Sequence, residues 1–269
     1  MPAWAAKQQA FVYMTNRNGP YEIWLHKPGQ QDHPVVTPRD FPPDTTDEFM
    51  TPSLSPDGDR VIYSRVEQSG PTRLWMSSVN GGTPVRVTKG DYLQETAGGW
   101  SPDGAWFAYV LFQDGRGALM KVRTSGQGSP EVLTTDVDPD ALQVPLWSPS
   151  GEGILNPGKG LTMVSPDGKT TRTIMERAPD AYGFSPDGKL IYGIRRSSTG
   201  DKAELFSINS SGGGEKVIGS FSAEYIPFND LSPSLFLSPA PDGKSLAYSI
   251  QRSTANLWLM DGLEGVPLP

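Results

Sequence analysis

Cysteine is absent from the 269-residue chain, and histidine nearly so, at two residues. Those absences exclude disulfides, thiolate nucleophiles and zinc–thiolate sites, and leave too few imidazoles for a multi-histidine metal centre. No cofactor is expected. Basic residues are also short, with 23 Lys and Arg against 30 Asp and Glu, for a net charge of −7. Binding to phosphate backbones needs a basic footprint, so no nucleic-acid partner is expected, and an anionic membrane surface is disfavoured for the same reason. Long apolar runs are missing too: no window approaches the ~20 residues of a spanning helix, so no membrane insertion is expected of this chain. The opening residues Met1 to Gln9 lack the charged and then apolar regions of a signal peptide, so none is expected.

Glycine and proline are plentiful instead, at 30 and 26 residues, about a fifth of the chain against roughly 12% in average usage. Both interrupt helices, which argues against a helical architecture. Their positions repeat. Ser-Pro-Asp-Gly stands at Ser55 to Gly58, Ser101 to Gly104, Ser165 to Gly168 and Ser185 to Gly188, with variants at Ser148 to Gly151 and Ala240 to Gly243. Proline presets φ at the first corner, Asp bonds its own backbone and Gly takes the left-handed conformation, so each copy reads as a strand reversal. After the turn comes an apolar run ending in Tyr, as in Val61-Ile62-Tyr63 and Phe107-Ala108-Tyr109. A second run follows, such as Leu74-Trp75-Met76, then a Gly-rich hairpin and a third run such as Val85-Arg86-Val87-Thr88. With the stretch before the turn, each unit has four strands.

The N-terminus fits the same template, with Phe11-Val12-Tyr13, Ile23-Trp24-Leu25 and Val35-Val36 as its runs and Ala5 to Gln8 in place of the turn. The copy at Ser165 differs, because it follows Leu161-Thr162-Met163 and so joins third and fourth strands. Six repeats result, approximately 1–37, 38–88, 89–134, 135–175, 176–221 and 222–269. Their spacing lies in the ~40–50-residue range of four-stranded propeller blades. The expected fold is therefore all-β, a single domain 1–269 forming a six-bladed β-propeller of four-stranded antiparallel blades. The last blade is expected to be incomplete, since its third run meets Leu268-Pro269. Trp100, Trp147, Phe184, Trp24 and Trp75 recur at equivalent places and are expected to pack between blades.

The stretch Phe11 to Trp24 and the recurring Ser-Pro-Asp-Gly-x-x-(apolar)-x-Tyr resemble the WD-repeat-like propeller repeats of TolB-type proteins, over essentially the whole chain. The resemblance implies a six-bladed propeller, often extracytoplasmic in bacteria and often a protein-interaction module. It extends to the propeller halves of prolyl-oligopeptidase-type enzymes, whose chemistry belongs to a separate α/β-hydrolase domain.

Catalytic signatures are sparse. No Gly-x-Ser-x-Gly nucleophile elbow is present. His26, beside a strand, and His33, in a hairpin, are expected to be exposed and incidental. Asp136, Asp138 and Asp140 have a calcium-like spacing, but Ala141 and Trp147 occupy the places where such a loop needs Gly and Glu, so a solvated acidic loop is expected. The chain is accordingly expected not to be an enzyme.

In an up-and-down blade, the first-to-second and third-to-fourth turns share one face, and the remaining links share the other. The second face carries the variable sequence. Its inter-blade loops hold Asp44 and Phe49, then Asp91, Tyr92 and Glu95, then Asp138 and Asp140, then Asp180 and Tyr182, and last Tyr225 and Phe228. Its second-to-third links hold Arg17, Arg65, Arg116, Arg196 and Arg252. Loops on a rigid scaffold commonly carry function and aromatic anchors dominate interfaces. The expectation is a protein- or peptide-binding sensor module of a larger bacterial protein such as a receptor-type kinase or regulator. The alternatives are the propeller of a prolyl-oligopeptidase-type peptidase or a carboxylate-based carbohydrate-active enzyme.

Overall fold

The computed structural model describes residues 3–4, 9–42, 48–67, 70–90, 94–138, 144–158, 160–199, 202–222, 237–243 and 246–248. Among these residues the chain is all-β, with a single 3-10 turn at Pro38–Asp40. The strands fall into antiparallel meanders. The first holds β1 (Ala3–Trp4), β2 (Phe11–Thr15), β3 (Glu22–His26) and β4 (His33–Val36). The second holds β5 (Glu48–Leu54), β6 (Arg60–Val66), β7 (Thr72–Ser78) and β8 (Val85–Arg86). The third holds β9 (Gln94–Trp100), β10 (Trp106–Gln113), β11 (Arg116–Arg123) and β12 (Glu131–Val137). The fourth runs through β13 (Leu146–Trp147), β14 (Ile154–Pro157), β15 (Leu161–Val164) and β16 (Thr171–Met175). The fifth runs through β17 (Ala181–Phe184), β18 (Leu190–Arg196), β19 (Lys202–Asn209) and β20 (Lys216–Ser222). A hairpin of β21 (Leu237–Pro239) and β22 (Leu246–Tyr248) follows. The Ala5 to Gln8 turn and residues 249–269, where the remaining strands of the last repeat were expected, lie outside the described residues.

The Ser-Pro-Asp-Gly segments join first to second strands, and the Ser165 copy joins β15 to β16, as the flanking runs predict. Each turn is locked by its own side chains. The Ser55 hydroxyl donates to Asp57 Oδ1 at 2.5 Å and accepts from the Arg60 N–H at 2.9 Å, while the Gly58 N–H donates to the Ser55 carbonyl at 2.8 Å. Ser101 and Ser185 repeat the pattern with Asp103 and Asp187.

Burial explains why the second strands are continuous apolar runs rather than alternating ones. Successive side chains point to opposite faces of a strand, and here both faces are covered. On β6, Val61 and Tyr63 pack with Val12, Ile23 and Leu25 of the first unit, whereas Ile62 packs with Phe107 and Tyr109 of the third. On β10, Phe107 and Tyr109 face the second unit, and Ala108 and Val110 join Ile154 and Val164 of the fourth. The fourth and fifth units meet through Leu155, Leu161 and Met163 against Phe184, Ile191 and Phe206. The core is thus a series of apolar seams between neighbouring units, and each fully buried large side chain contributes about 1.5–3 kcal/mol.

First strands lie innermost. β1, β5, β9 and β13 run side by side in that order, β17 runs beside β21, and β21 beside β1. Their approach is close at Gly98 of β9, where a Cβ would stand 2.6 Å from the Pro145 ring and carbonyl. The second and third units are further joined by a parallel contact of Thr72 on β7 with Gln94 on β9, which merges them into an eight-stranded sheet.

Candidate functional site

The variable face was expected to present acidic and aromatic loop residues, and the structure corrects three of them. Phe49 lies within β5 and is 1% exposed, packed edge-on to Tyr63. Glu95 lies within β9 and is fully buried. Both belong to inner strands longer than the sequence suggested, because no proline or glycine marks where the inter-unit loop ends. The signal that would have placed them is their shared offset, six residues ahead of Ser55 and of Ser101. Tyr182 is likewise buried in β17, its hydroxyl donating to the Val144 carbonyl at 2.7 Å, and burial pushes its phenol pKa up.

Glu95 serves an open strand edge. β8 is only two residues long, pairing with Trp75 and Met76; beyond that pairing the Val87 N–H donates to the Leu74 carbonyl at 2.9 Å and Thr72 meets Gln94 of β9, while the Leu74 N–H turns to a side chain. Glu95 Oε2 reaches across from the next unit and accepts from the Leu74 N–H at 3.3 Å and the Thr88 hydroxyl at 2.6 Å. Burial raises the pKa of this carboxyl, opposed by the hydrogen bonds from Thr88 and Leu74 and by the charges of Arg73 and Arg86. Arg86 also donates to the Gly90 carbonyl. Beside this cluster Thr51, buried at φ 49, shares a hydrogen bond with Ser64, whose Oγ accepts from the Ala97 N–H.

The arginines expected in the links are mostly stacked on rings, and Arg65, which is buried, and Arg196 fall inside β6 and β18 rather than in links. Arg17 lies 4.5 Å from the Trp24 ring centroid and donates to the Tyr13 hydroxyl at 2.9 Å. Arg65 lies 4.0 Å from the Phe41 centroid, and Phe41 itself is buried. Arg195 covers Phe206 and pairs with Glu204 and Glu215. Arg196 is half-buried, its N–H donating to Asp180 Oδ2 at 3.1 Å. Arg116 is exposed at the start of β11. His26 is half-buried rather than exposed: its Nδ1 stands 2.8 Å from Asp32 Oδ1, and the Tyr13 hydroxyl donates to the other oxygen of Asp32 at 2.8 Å. Those hydrogen bonds, that of Tyr13 first, hold the Asp32 carboxyl below its usual range.

Asp136 is exposed at the end of β12 and Asp138 follows it half-buried; Asp140 lies outside the described residues, as do Asp44, Asp91, Tyr92, Tyr225, Phe228 and Arg252. Among the described residues no three His, Asp or Glu side chains cluster closely enough to hold a metal ion.

Meanders arranged with their first strands innermost define a β-propeller, and the fold is specifically that of the TolB-type propellers. A putative TolB from Agrobacterium tumefaciens superposes with a TM-score of 0.68 at 19% identity, over 94% of this chain and 90% of that one. A prolyl endopeptidase, from a structural and mechanistic study of two such enzymes and their inter-domain dynamics, superposes with a TM-score of 0.53 at 15% identity, over 88% of this chain and 37% of that one. In sequence, the chain is 29% identical over 211 residues to an uncharacterized peptidase, YuxL, of Bacillus subtilis (strain 168). The match covers 74% of this chain and spans only 29% of that protein. No protein-family profile matches the chain. The expectation that the chain is not an enzyme is corrected by the peptidase match: the missing nucleophile elbow describes these residues and not the kind of protein to which they are related.

Proposed function

We propose that this chain is the propeller of a peptidase, a single domain of six four-stranded units closed in a ring, whose variable-loop face meets peptides on their way to a catalytic domain. The observation that carries the reading is the match to YuxL, which covers most of this chain but under a third of that longer peptidase. The six-unit ring is supported by β21 and β22, which flank the Ala240 to Gly243 turn as earlier pairs flank theirs, and by the position of β21 beside β1. The sequence run Leu257-Trp258-Leu259 repeats the third-strand pattern of Leu74-Trp75-Met76. The test is to incubate the full natural polypeptide with a peptide mixture and follow cleavage by mass spectrometry. Cleavage is expected, and its absence against any peptide would overturn the reading.

A second reading has its own support. The Agrobacterium TolB-type structure is matched over 90% of its length, as a propeller forming nearly a whole chain would be. On this reading the chain is a protein- or peptide-binding module of a larger protein.

A further inference from the structure

The arginines expected in the second-to-third links are not equivalent. The first two units place Trp24 and Trp75 opposite Tyr13 and Tyr63 in the strand register, and Arg17 and Arg65 stack on those indoles. In the third unit the register position opposite Tyr109 is Met120, which offers no ring. Arg116 therefore has no platform, and among the described residues its side chain makes no hydrogen bond, ion pair or ring contact.

The backbone around Arg116 is unusual in two further ways. Asp114 and Gly115, at φ 52 and φ 70, close β10 onto β11 with a two-residue turn, positive φ at both positions being the type I′ geometry. The links of the first, second and fifth units are longer, spanning residues 16–21, 67–71 and 197–201. The neighbouring edge strand is bulged: Leu119 pairs with Thr134 and Gly117 with Val137, so β12 carries one residue more than β11 there. Bulges recur beside binding sites, where they re-aim side chains. The short turn and the bulge leave a groove of about 530 Å3, lined by Leu111, Gln113, Arg116, Ala118, Thr135 and Val137. That volume is in the range of small-ligand sites.

We propose that this groove binds a carboxylate carried by an extended peptide. Arg116 takes the carboxylate through its planar fork, Gln113 opposite it supplies an amide donor, and Leu111 and Ala118, both half-buried, receive the adjoining apolar side chain. Charge selects the ligand: on a chain of net charge −7, an anion is repelled except where a cation stands without a neutralising neighbour. The peptide chemistry rests on the peptidase reading, and the carboxylate comes either from the C-terminus or from an acidic side chain.

Three probes separate these sources on the 269-residue chain: acetyl-Ala-Ala-Leu as free acid, the same peptide as amide, and acetyl-Ala-Asp-Leu as amide, each titrated while the backbone amide resonances of Gly115 and Gly117 are followed. The free acid is expected to shift them, and its amide is not. Binding of the aspartyl amide marks the side-chain source, and binding of the free acid alone marks the C-terminus. Arg116→Gln is expected to weaken the binding about tenfold with unchanged folding, and Arg123→Gln to leave it unchanged. Failure of both carboxylate-bearing peptides to bind, equal affinity of all three peptides, or equal affinity of Arg116→Gln and the parent overturns the proposal. Peptide cleavage by the full polypeptide with no probe bound at the groove sinks this inference and leaves the peptidase reading standing. Probe binding at the groove without cleavage does the reverse.

Discussion

Glu95 illustrates how a buried carboxylate can hold two units together while working against itself electrostatically. Its oxygen satisfies the Leu74 N–H and the Thr88 hydroxyl, yet burial raises its pKa above the ordinary 4.5. Removing both the charge and the acceptor should be costly, because the Leu74 N–H and Thr88 are then left without a partner beside Arg73 and Arg86. Glu95→Ala is expected to lower stability by about 3–5 kcal/mol at neutral pH, measured by urea unfolding. Glu95→Gln keeps an oxygen for both donors and removes the desolvated charge, so it should cost well under half as much. The pH dependence has a definite sign. A carboxyl whose folded pKa lies above 4.5 binds a proton more tightly in the folded state, so its contribution to stability rises as pH falls from the raised value towards 4.5. Glu95→Gln should remove that rise, and an unchanged stability profile between the two proteins would contradict the assignment.

The recurring element is the Ser-Pro-Asp-Gly turn, and its carboxylates titrate in the opposite sense. Hydrogen bonds from Ser55 and Ser185 hold Asp57 and Asp187 below their ordinary 3.8, and the Ser165 hydroxyl holds Asp167 at about 2. The stability these groups contribute is present above 3.8 and is lost as pH falls through the depressed values. Wild-type Tm should therefore drop between pH 3.8 and about 2, and Asp57→Asn combined with Asp187→Asn should flatten that drop. An equally steep drop in the variant would show that the turns are not its source. These turns, and the strands on either side, were legible in the sequence because proline, Asp and Gly impose their conformations locally. The inner strands were not. Phe49 and Glu95 follow no turn residue, and their burial depends on neighbouring units that local pattern does not reveal. The stacking of Arg17 and Arg65 was hidden for the same reason, since each ring lies on the next strand and, for Arg65, also in the preceding inter-unit segment at Phe41.

At the scale of the whole molecule, stability resides in seams between units, so one large truncation in a seam should loosen two units at once. Phe49→Ala, which empties a site against Phe41 and Tyr63, is expected to cost about 3–5 kcal/mol and to speed hydrogen exchange in both the first and second units. Exchange confined to the second unit would contradict a shared core. The same geometry underlies the peptidase reading, which needs the units to enclose a common centre and present their variable links on one side. That the units close on themselves is the claim on which the rest depends, and the absence of cysteine makes it directly measurable. Spin labels placed by Ala3→Cys on β1 and Ser238→Cys on β21, in an otherwise thiol-free chain, report the separation of the first and last units. Closure predicts strong dipolar coupling between the two labels, since β1 and β21 run side by side; an uncoupled pair in the folded protein would mean an open arc and would contradict the account.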